Sequence, residues 1–355
     1  QAAAQDTAAA VDDIVAAEDD TTKSADDVPD VIGGNFFNKT SRDPAAPEDF
    51  PGDGAAPLPH PSDESLAEAA RLIHASKRPL LCAGAGVNHS GACASLAALA
   101  RKNGIPVATT LLGLDTFPAG DPLRLGMLGM HGSRAVNTLV HEADCLVVLG
   151  ARLDDRATGD VRRFAENARL IHCDIDAAEL GKLRQAELAL GGDLRRVLAG
   201  LLPLIRSDRR PAWRERIASV QAEYPFPAED SAPQRLIAAA AAALPGDALI
   251  TTDVGQHQQW VAQHYPFRSP RSFLTSGGLG TMGFGLPAAI GAALACPGRK
   301  VACFTGDGSL LMNLQELATL ADWRLPVAII LFDNRGLGLV RQQQNLFFER
   351  RLSAF

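Results

Sequence analysis

A chain of 355 residues, 46% hydrophobic and 21% charged, has room for two to three domains of roughly 100–200 residues and enough apolar mass for packed cores, which excludes wholesale disorder. The formal net charge of −7 is unevenly spread: residues 1–65 hold 15 Asp and Glu against three Lys and Arg, whereas the other 290 residues hold 26 against 31. No Lys/Arg run and no interleaving of basic with aromatic residues marks a nucleic-acid groove, and no apolar stretch approaches the ~18–20 residues of a membrane span.

Residues 1–60 are rich in Ala, Asp and Pro and show no helical or strand periodicity, so they are expected to form a disordered acidic tail. The first residue is Gln1 rather than Met, and neither a basic n-region nor an apolar h-region follows, which argues for a fragment and against a secretory signal. Order is expected from Ser62, a candidate N-cap with Asp63 and Glu64 in the first helical turn. Leu66, Ala69, Ala70 and Ile73 then line one helical face. The strand Pro79–Ala83, the turn Gly84-Ala-Gly86 and a helix near Ala92–Lys102 follow. Strands at Val107–Thr109, Cys145–Leu149 and Leu170–Asp174 alternate with helices near Ser133–His141 and Asp193–Leu204. Such alternation predicts a parallel α/β domain over residues 61–205. Residues 206–230, with Pro211, Pro225 and Pro227 among charges, read as a linker.

A second α/β series occupies 231–355: helix Gln234–Ala243, strand Ala248–Thr252, helix Gly285–Ala295, strand Lys300–Thr305, helix Asn313–Asp322 and strand Val327–Phe332. The chain stops at Phe355 as this series turns toward another helix, so the second domain is expected to be C-terminally truncated. Six cysteines, at 82, 93, 145, 173, 296 and 303, form no C-x-x-C pair and sit mostly in apolar runs; they read as reduced core thiols of a cytoplasmic protein.

Two glycine turns invite a phosphate reading. Gly84-x-Gly86 is a weak signal, because a strand-to-helix turn needs glycine for backbone geometry alone. A nicotinamide dehydrogenase would also need an acidic ribose partner ~20 residues on, and Gly104–Thr110 offers none. Gly306-Asp307-Gly308-Ser309 is stronger. It closes one apolar strand, a helix follows, and Asn334 closes the next apolar strand. If both strands are parallel, a carboxylate and an amide oxygen reach the same rim of the sheet, where open α/β folds bind ligands. Mg²⁺ takes oxygen ligands and is usually held by one or two protein groups plus substrate phosphates. Gly308 admits a diphosphate to the backbone, and the helix start offers N–H donors.

The stretch from Gly306-Asp307-Gly308 to Asn334 resembles the diphosphate motif of thiamine-diphosphate enzymes, with Asp333-Asn334 where most have Asn-Asn. Thr252-Asp-Val-Gly-Gln-His-Gln, Ser276-Gly-Gly-Leu-Gly-Thr-Met-Gly-Phe-Gly-Leu-Pro-Ala-Ala, Leu125-Gly-Met-Leu-Gly-Met-His-Gly, Gly150-Ala-Arg-Leu-Asp-Asp-Arg-Ala-Thr-Gly and Lys182-Leu-Arg-Gln-Ala resemble the acetolactate synthase (acetohydroxyacid synthase) catalytic-subunit family. The resemblance covers residues ~62–355 and implies a central FAD-type domain and a C-terminal thiamine-diphosphate/Mg-binding domain, both α/β with parallel sheets. It assigns Asp307, Asn334 and the Gly336 carbonyl to Mg²⁺, and Val254, Gly255, Gln256, His257, Gly308 and Ser309 to the diphosphate. Gly280 matches the carbonyl that contacts the aminopyrimidine, and Met282 the prop beneath the thiazolium that bends the cofactor. His131 through Arg152, with Asp174 and Asp193, match a largely structural FAD site. Arg156 matches the arginine that holds the second substrate's carboxylate, and Met130 and Gln343 fall in the specificity pocket.

The implied reaction is carboligation: pyruvate is decarboxylated on thiamine diphosphate and added to a second 2-oxo acid, as in branched-chain amino acid biosynthesis. The resemblance also implies a homo-oligomer, dimer or tetramer, and allows a small regulatory subunit. Two departures stand out. The family's pyrimidine-binding domain, whose glutamate protonates the aminopyrimidine ring, has no counterpart in residues 1–60, so this chain alone is expected to be inactive. Gln343 also stands where the biosynthetic enzymes carry a tryptophan linked to 2-oxobutyrate preference. A glyoxylate carboligase, a catabolic acetolactate synthase and a non-catalytic cofactor-binding fragment therefore remain as alternatives.

Overall fold

The computed structural model describes residues 60–226 and 231–353. The expectation of a disordered acidic tail falls on residues that lie, but for His60, outside that range. Ten parallel strands form two sheets. The first holds β1 (Pro79–Ala83), β2 (Val107–Thr109), β3 (Arg124–Met127), β4 (Cys145–Leu149), β5 (Arg169–Asp174) and β6 (Leu188–Gly191), in the order β3-β2-β1-β4-β5-β6. The second holds β7 (Leu249–Thr252), β8 (Phe273–Thr275), β9 (Val301–Gly306) and β10 (Val327–Phe332), in the order β10-β9-β7-β8.

The apolar runs dictate this arrangement. A central parallel strand is covered on both faces and so cannot alternate with polar residues. β1 and β4 are buried at every position. Successive side chains still point to opposite faces. Leu81, Ala83, Val147 and Leu149 join the core beneath helices Asp63–Ala75, Cys93–Asn103 and Leu194–Leu204. Leu80, Cys82, Leu146 and Val148 join the core beneath helix Arg134–Glu142. The second sheet repeats the scheme, with Ile250, Ala302 and Phe304 on one face and Leu249, Val301 and Cys303 on the other.

Helix starts follow local chemistry. Ser62 accepts from the Ser65 N–H at 3.2 Å, Ser133 from Val136 at 3.1 Å and Asp193 from Arg195 at 2.7 Å, each satisfying an N–H that the first turn leaves unpaired. Ser231 and Gln234 make a reciprocal capping box at the start of helix Ala232–Ala243.

The reading of 206–230 as a linker needs correction. Pro211–Glu223 is a 13-residue helix with Pro211 at its start, where a missing N–H costs nothing. Trp213, Ile217 and Val220, spaced as one helical face, are buried in the core beneath the first sheet. The indole Nε1 of Trp213 donates to the Pro79 carbonyl at 3.0 Å. The prolines and charges masked a face three residues wide, and tertiary burial decided the outcome. Residues 227–230 of that stretch lie outside the described residues.

The two sheet domains are joined by a buried carboxylate. Asp115 accepts from Asn88 Nδ2 at 2.5 Å and from the backbone N–H groups of Ser272 and Phe273 at 2.8 and 3.1 Å, fastening the start of β8 to the first domain. Arg271 returns the contact by donating to the Asn88 carbonyl at 3.0 Å.

Trp213→Ala should lower stability by about 3–5 kcal/mol, the usual cost of emptying a tryptophan site in a core. Urea unfolding of the two proteins measures it, and a loss below about 1 kcal/mol would mean that the helix is a surface appendage.

Candidate functional site

The decisive geometry lies at the carboxyl rim of the second sheet. β9 and β10 pair in parallel from Val301↔Val327 through Gly306↔Phe332, so their ends are level. Asp307 and Asn334 therefore leave the sheet side by side. With Val254, Gly255, Gln256 and His257 after β7, and with Gly280 and Met282, they line one cleft of about 210 Å³. Gly308, Ser309 and Gly336 complete the wall. Every residue that the sequence assigned to the metal, the diphosphate and the aminopyrimidine carbonyl thus lines a single cleft, although these residues come from four separate segments.

Polar order in the cleft is local and specific. Asn334 Nδ2 donates to Gln256 Oε1 at 3.3 Å, joining the segment after β10 to the segment after β7. Ser309 Oγ donates to the Val254 carbonyl at 3.1 Å. His257 is 4% exposed, and its ring lies parallel to Phe332 at 6.3 Å. Burial pushes the imidazole down to about 4, against the raising influence of the Asp253 and Asp307 carboxylates. The ring is neutral at physiological pH, yet its Nε2 is buried without a hydrogen-bond partner. Such an orphan atom costs about 1–3 kcal/mol and calls for a ligand that faces it.

The cleft fits a cation shared with a diphosphate. Among the described residues no group of three or more His, Cys, Asp or Glu side chains could enclose a metal. Asp307 is the one carboxylate lining the cleft. Mg²⁺ is usually held by one or two carboxylates with phosphate oxygens and water completing the octahedron, which one carboxylate, one amide oxygen and the Gly336 carbonyl suit.

The first sheet has the strand order of a doubly wound dinucleotide fold, with its switch point between β1 and β4. The turn Gly84-Ala-Gly86 lies there, but the N–H groups of both glycines are taken. Gly84 donates to the Leu149 carbonyl at 2.9 Å and Gly86 to the Gly150 carbonyl at 3.1 Å. A Cβ on Gly86 would lie 2.7 Å from Gly150 Cα, and one on Gly84 would strike the Gly150 carbonyl. These glycines serve the close approach of two strand ends, and a phosphate would find no free donors on them.

The residues assigned to FAD are spread along that rim. His131 is half-buried against the second domain: its carbonyl accepts from Gln263 Nε2 at 2.8 Å, and burial and the Arg156 charge lower its pKa. Arg152 is exposed and pairs with Asp154 at 3.4 Å, worth little in stability. Asp174 is buried at the end of β5 and accepts from the Asp176 N–H at 3.0 Å. Asp193 spends one oxygen on its own helix cap. Met130 and Arg156 come together, with Met130 N donating to the Arg156 carbonyl at 2.8 Å and the guanidinium 4.0 Å from the Met130 sulfur. Neither lines the cleft of Asp307. Gln343 lies on helix Gly338–Phe347, one turn beyond the cleft-lining Val340.

Sequence reasoning missed three residues at this site. Trp260 lines the cleft and packs on Phe332 at 5.7 Å, carried there by helix Gln256–His264. That helix starts on Gly255 and is rich in Gln and His, so it has no apolar stripe to read. Asp253 is 1% exposed at the end of β7, and Asn313 follows helix Asp307–Met312. A carboxylate placed directly after the strand ending at Thr252 was the available signal for Asp253.

Comparison with known proteins agrees with this geometry. Residues 66–201 match the family "Thiamine pyrophosphate enzyme, central domain", and residues 253–355 match "Thiamine pyrophosphate enzyme, C-terminal TPP binding domain". These two matches place the chain in the thiamine pyrophosphate enzyme family. Among individual proteins, the chain is 52% identical over 303 residues to the acetolactate synthase isozyme 1 large subunit of Escherichia coli, covering 84% of this chain and 54% of that protein. It is 44% identical over 335 residues to the acetolactate synthase large subunit of Parasynechococcus marenigrum, covering 92% and 54%. For the large subunit of Lactococcus lactis the values are 45% over 298 residues, covering 82% and 52%. The chain belongs to the thiamine pyrophosphate enzyme family, is similar to these acetolactate synthase large subunits, and spans about half the length of the relatives it matches.

One consequence of the first sheet's packing is open to titration. His172 is 1% exposed on β5, donates from Nε2 to the Ala151 carbonyl at 3.0 Å, and leaves Nδ1 unpartnered. Burial lowers its pKa below the ordinary 6.5. The unfolded chain therefore binds this proton first, and folding stability falls as pH drops below about 6.5, by at most ~1.4 kcal/mol per pH unit for one group. His172→Gln should lose less stability than the wild type between neutral pH and pH ~5 in urea unfolding. Parallel losses would place the acid sensitivity elsewhere.

Proposed function

We propose that the protein is a thiamine-diphosphate-dependent carboligase of the acetolactate synthase type, which joins the two-carbon fragment of pyruvate to a second 2-oxo acid with loss of CO₂. The carrying observation is the level pairing of β9 and β10, which puts Asp307 and Asn334 on the rim beside the His257 loop and the Met282 loop. When bound, thiamine diphosphate supplies the electron sink that a 2-oxo acid needs to lose its carboxylate.

The chain's own residues do the holding. Asp307, the Asn334 amide oxygen and the Gly336 carbonyl would bind Mg²⁺, while Val254, Gly255, Gln256, His257, Gly308 and Ser309 would enclose the diphosphate. Met282 would prop the bent cofactor from below, and the Gly280 carbonyl would orient its pyrimidine. Trp260, Phe332, Leu337 and Leu339 make the remaining walls of the cleft apolar and limit water there, which strengthens each charge interaction. Arg156, beside Met130, would receive the carboxylate of the second 2-oxo acid, whose position governs the carboligation step. Gln343, near the cleft on helix Gly338–Phe347, would set which second 2-oxo acid is preferred.

The reading extends to the first sheet domain, where His131, Arg152, Asp174 and Asp193 would contact FAD along the carboxyl rim. Names of the relatives as large subunits support a small regulatory partner and a homo-oligomer. No helix among the described residues is long and apolar enough to cross a membrane, and buried thiols such as Cys82, pushed up to about 12 by burial, suit a cytoplasmic enzyme.

Asp307→Ala removes the charged member of the metal site and should weaken Mg²⁺-dependent binding of thiamine diphosphate by more than about tenfold, ~1.4 kcal/mol. Calorimetric titration at fixed Mg²⁺ measures it, and an unchanged affinity would overturn the metal assignment. Acetolactate release from pyruvate, assayed with the pyrimidine-binding domain of a relative supplied in trans, tests the reaction itself; a docked, cofactor-loaded complex that leaves pyruvate untouched would overturn the carboligase reading.

A further inference from the structure

The loop between β8 and helix Gly285–Ala295 carries Gly280 and Met282, and it is gripped at one residue, Gly283, from two sides. Asp253, at the end of β7, accepts from the Gly283 N–H at 2.8 Å through Oδ1 and from the Gly285 N–H at 2.8 Å through Oδ2. Its Oδ1 also accepts from its neighbour's N–H, that of Val254, at 2.8 Å. From the other side, Asn313 Nδ2 donates to the Gly283 carbonyl. Asn313 is the residue that ends helix Asp307–Met312.

The grip is tight enough to dictate the residue between its jaws. Gly283 has φ +89°, a conformation that L side chains rarely adopt. A Cβ there would also lie 2.6 Å from Asn313 Nδ2 and 3.2 Å from Met312 Cβ. Both jaws belong to segments that line the cleft: Asp253 precedes Val254 and Gly255, and Asn313 closes the helix that begins at Asp307. Met282 adjoins the gripped residue, and its methyl group lies 3.8 Å from where a Cβ on Gly308 would stand.

We infer that Asp253 and Asn313 are positioning residues that clamp Gly283 and thereby hold Met282 and Gly280 at a set height above the diphosphate loop. This rests on the thiamine-diphosphate reading of the cleft and deepens it. The clamp ties the part of the cleft assigned to the rings to the two segments assigned to the diphosphate and its metal. A ligand that spans both parts should feel the clamp, and a ligand that fills the diphosphate part alone should not. Asp253 is well suited to this because it is 1% exposed, and a buried carboxylate that accepts three backbone N–H bonds is held rigidly.

The experiment uses the 355-residue chain with Mg²⁺ and compares two probes, thiamine diphosphate and inorganic diphosphate, by calorimetric titration. Asn313→Asp keeps the shape of the side chain and removes the donor to Gly283. It should weaken thiamine diphosphate about tenfold while inorganic diphosphate changes less than about twofold. Asp253→Asn, which replaces one acceptor oxygen by a donor facing an N–H, should act in the same direction. Met282→Ala combined with Asn313→Asp should cost little more than either change alone, since both act through one contact. Equal losses for the two probes would show a merely structural role and overturn the clamp, as would unchanged affinity for both. A wild-type chain that binds neither probe would instead overturn the cofactor reading of the cleft, and the clamp would fall with it.

Discussion

The parallel pairing of β9 with β10 is the constraint on which the site depends. Because Gly306 is level with Phe332, the chain leaves two neighbouring strands at one height, and a carboxylate from one meets an amide from the other. An antiparallel pair would send the two to opposite ends of the sheet. β7 pairs with β9 in parallel as well, which brings the Val254–His257 segment to the same rim and completes the cleft from a third strand end.

Around that rim, buried polar groups do the aligning. Asp253 and Asp115 are both nearly inaccessible carboxylates that accept backbone N–H groups, and each ties a loop to a strand end far away in sequence. Asp115 acts between the two sheet domains and Asp253 within the second. Asp253 accepts from backbone N–H groups, and Asp115 from two backbone N–H groups and the Asn88 side-chain amide, with the Arg124 charge acting on it as well. His257 shows the opposite case, a neutral ring buried with one nitrogen unspent, at the wall where an anion is expected.

The two domains use one design for different ends. In the first sheet the glycine turn after β1 is consumed by strand-end packing, since Gly84 donates to the last carbonyl of β4 and Gly86 to that of Gly150 just after it. In the second sheet the glycines after β9 line an open cleft. The same Gly-x-Gly spelling thus marks a packing device in one place and the wall of an open cleft in the other, and the neighbouring backbone makes the difference.

Much of this was legible in the sequence. The apolar runs at Pro79–Ala83, Cys145–Leu149 and Val327–Phe332 set strands with the bounds observed; the first two are buried at every position, which only a central parallel strand allows. Ser62, Ser133 and Asp193 marked helix starts, since capping is chemistry within one turn. Asp307 and Asn334 could be paired from strand-end positions alone. Other features depended on partners distant in the chain. β3, β6 and β8 are short and partly exposed, and only pairing with a neighbour makes them strands. Helix Pro211–Glu223 exists because Trp213 finds the Pro79 carbonyl and a core cavity, neither of which a local window contains. The grip of Asp253 and Asn313 on Gly283 spans 30 residues in each direction. Local composition fixes what a segment prefers, and only the assembled sheet decides which distant groups meet at one residue.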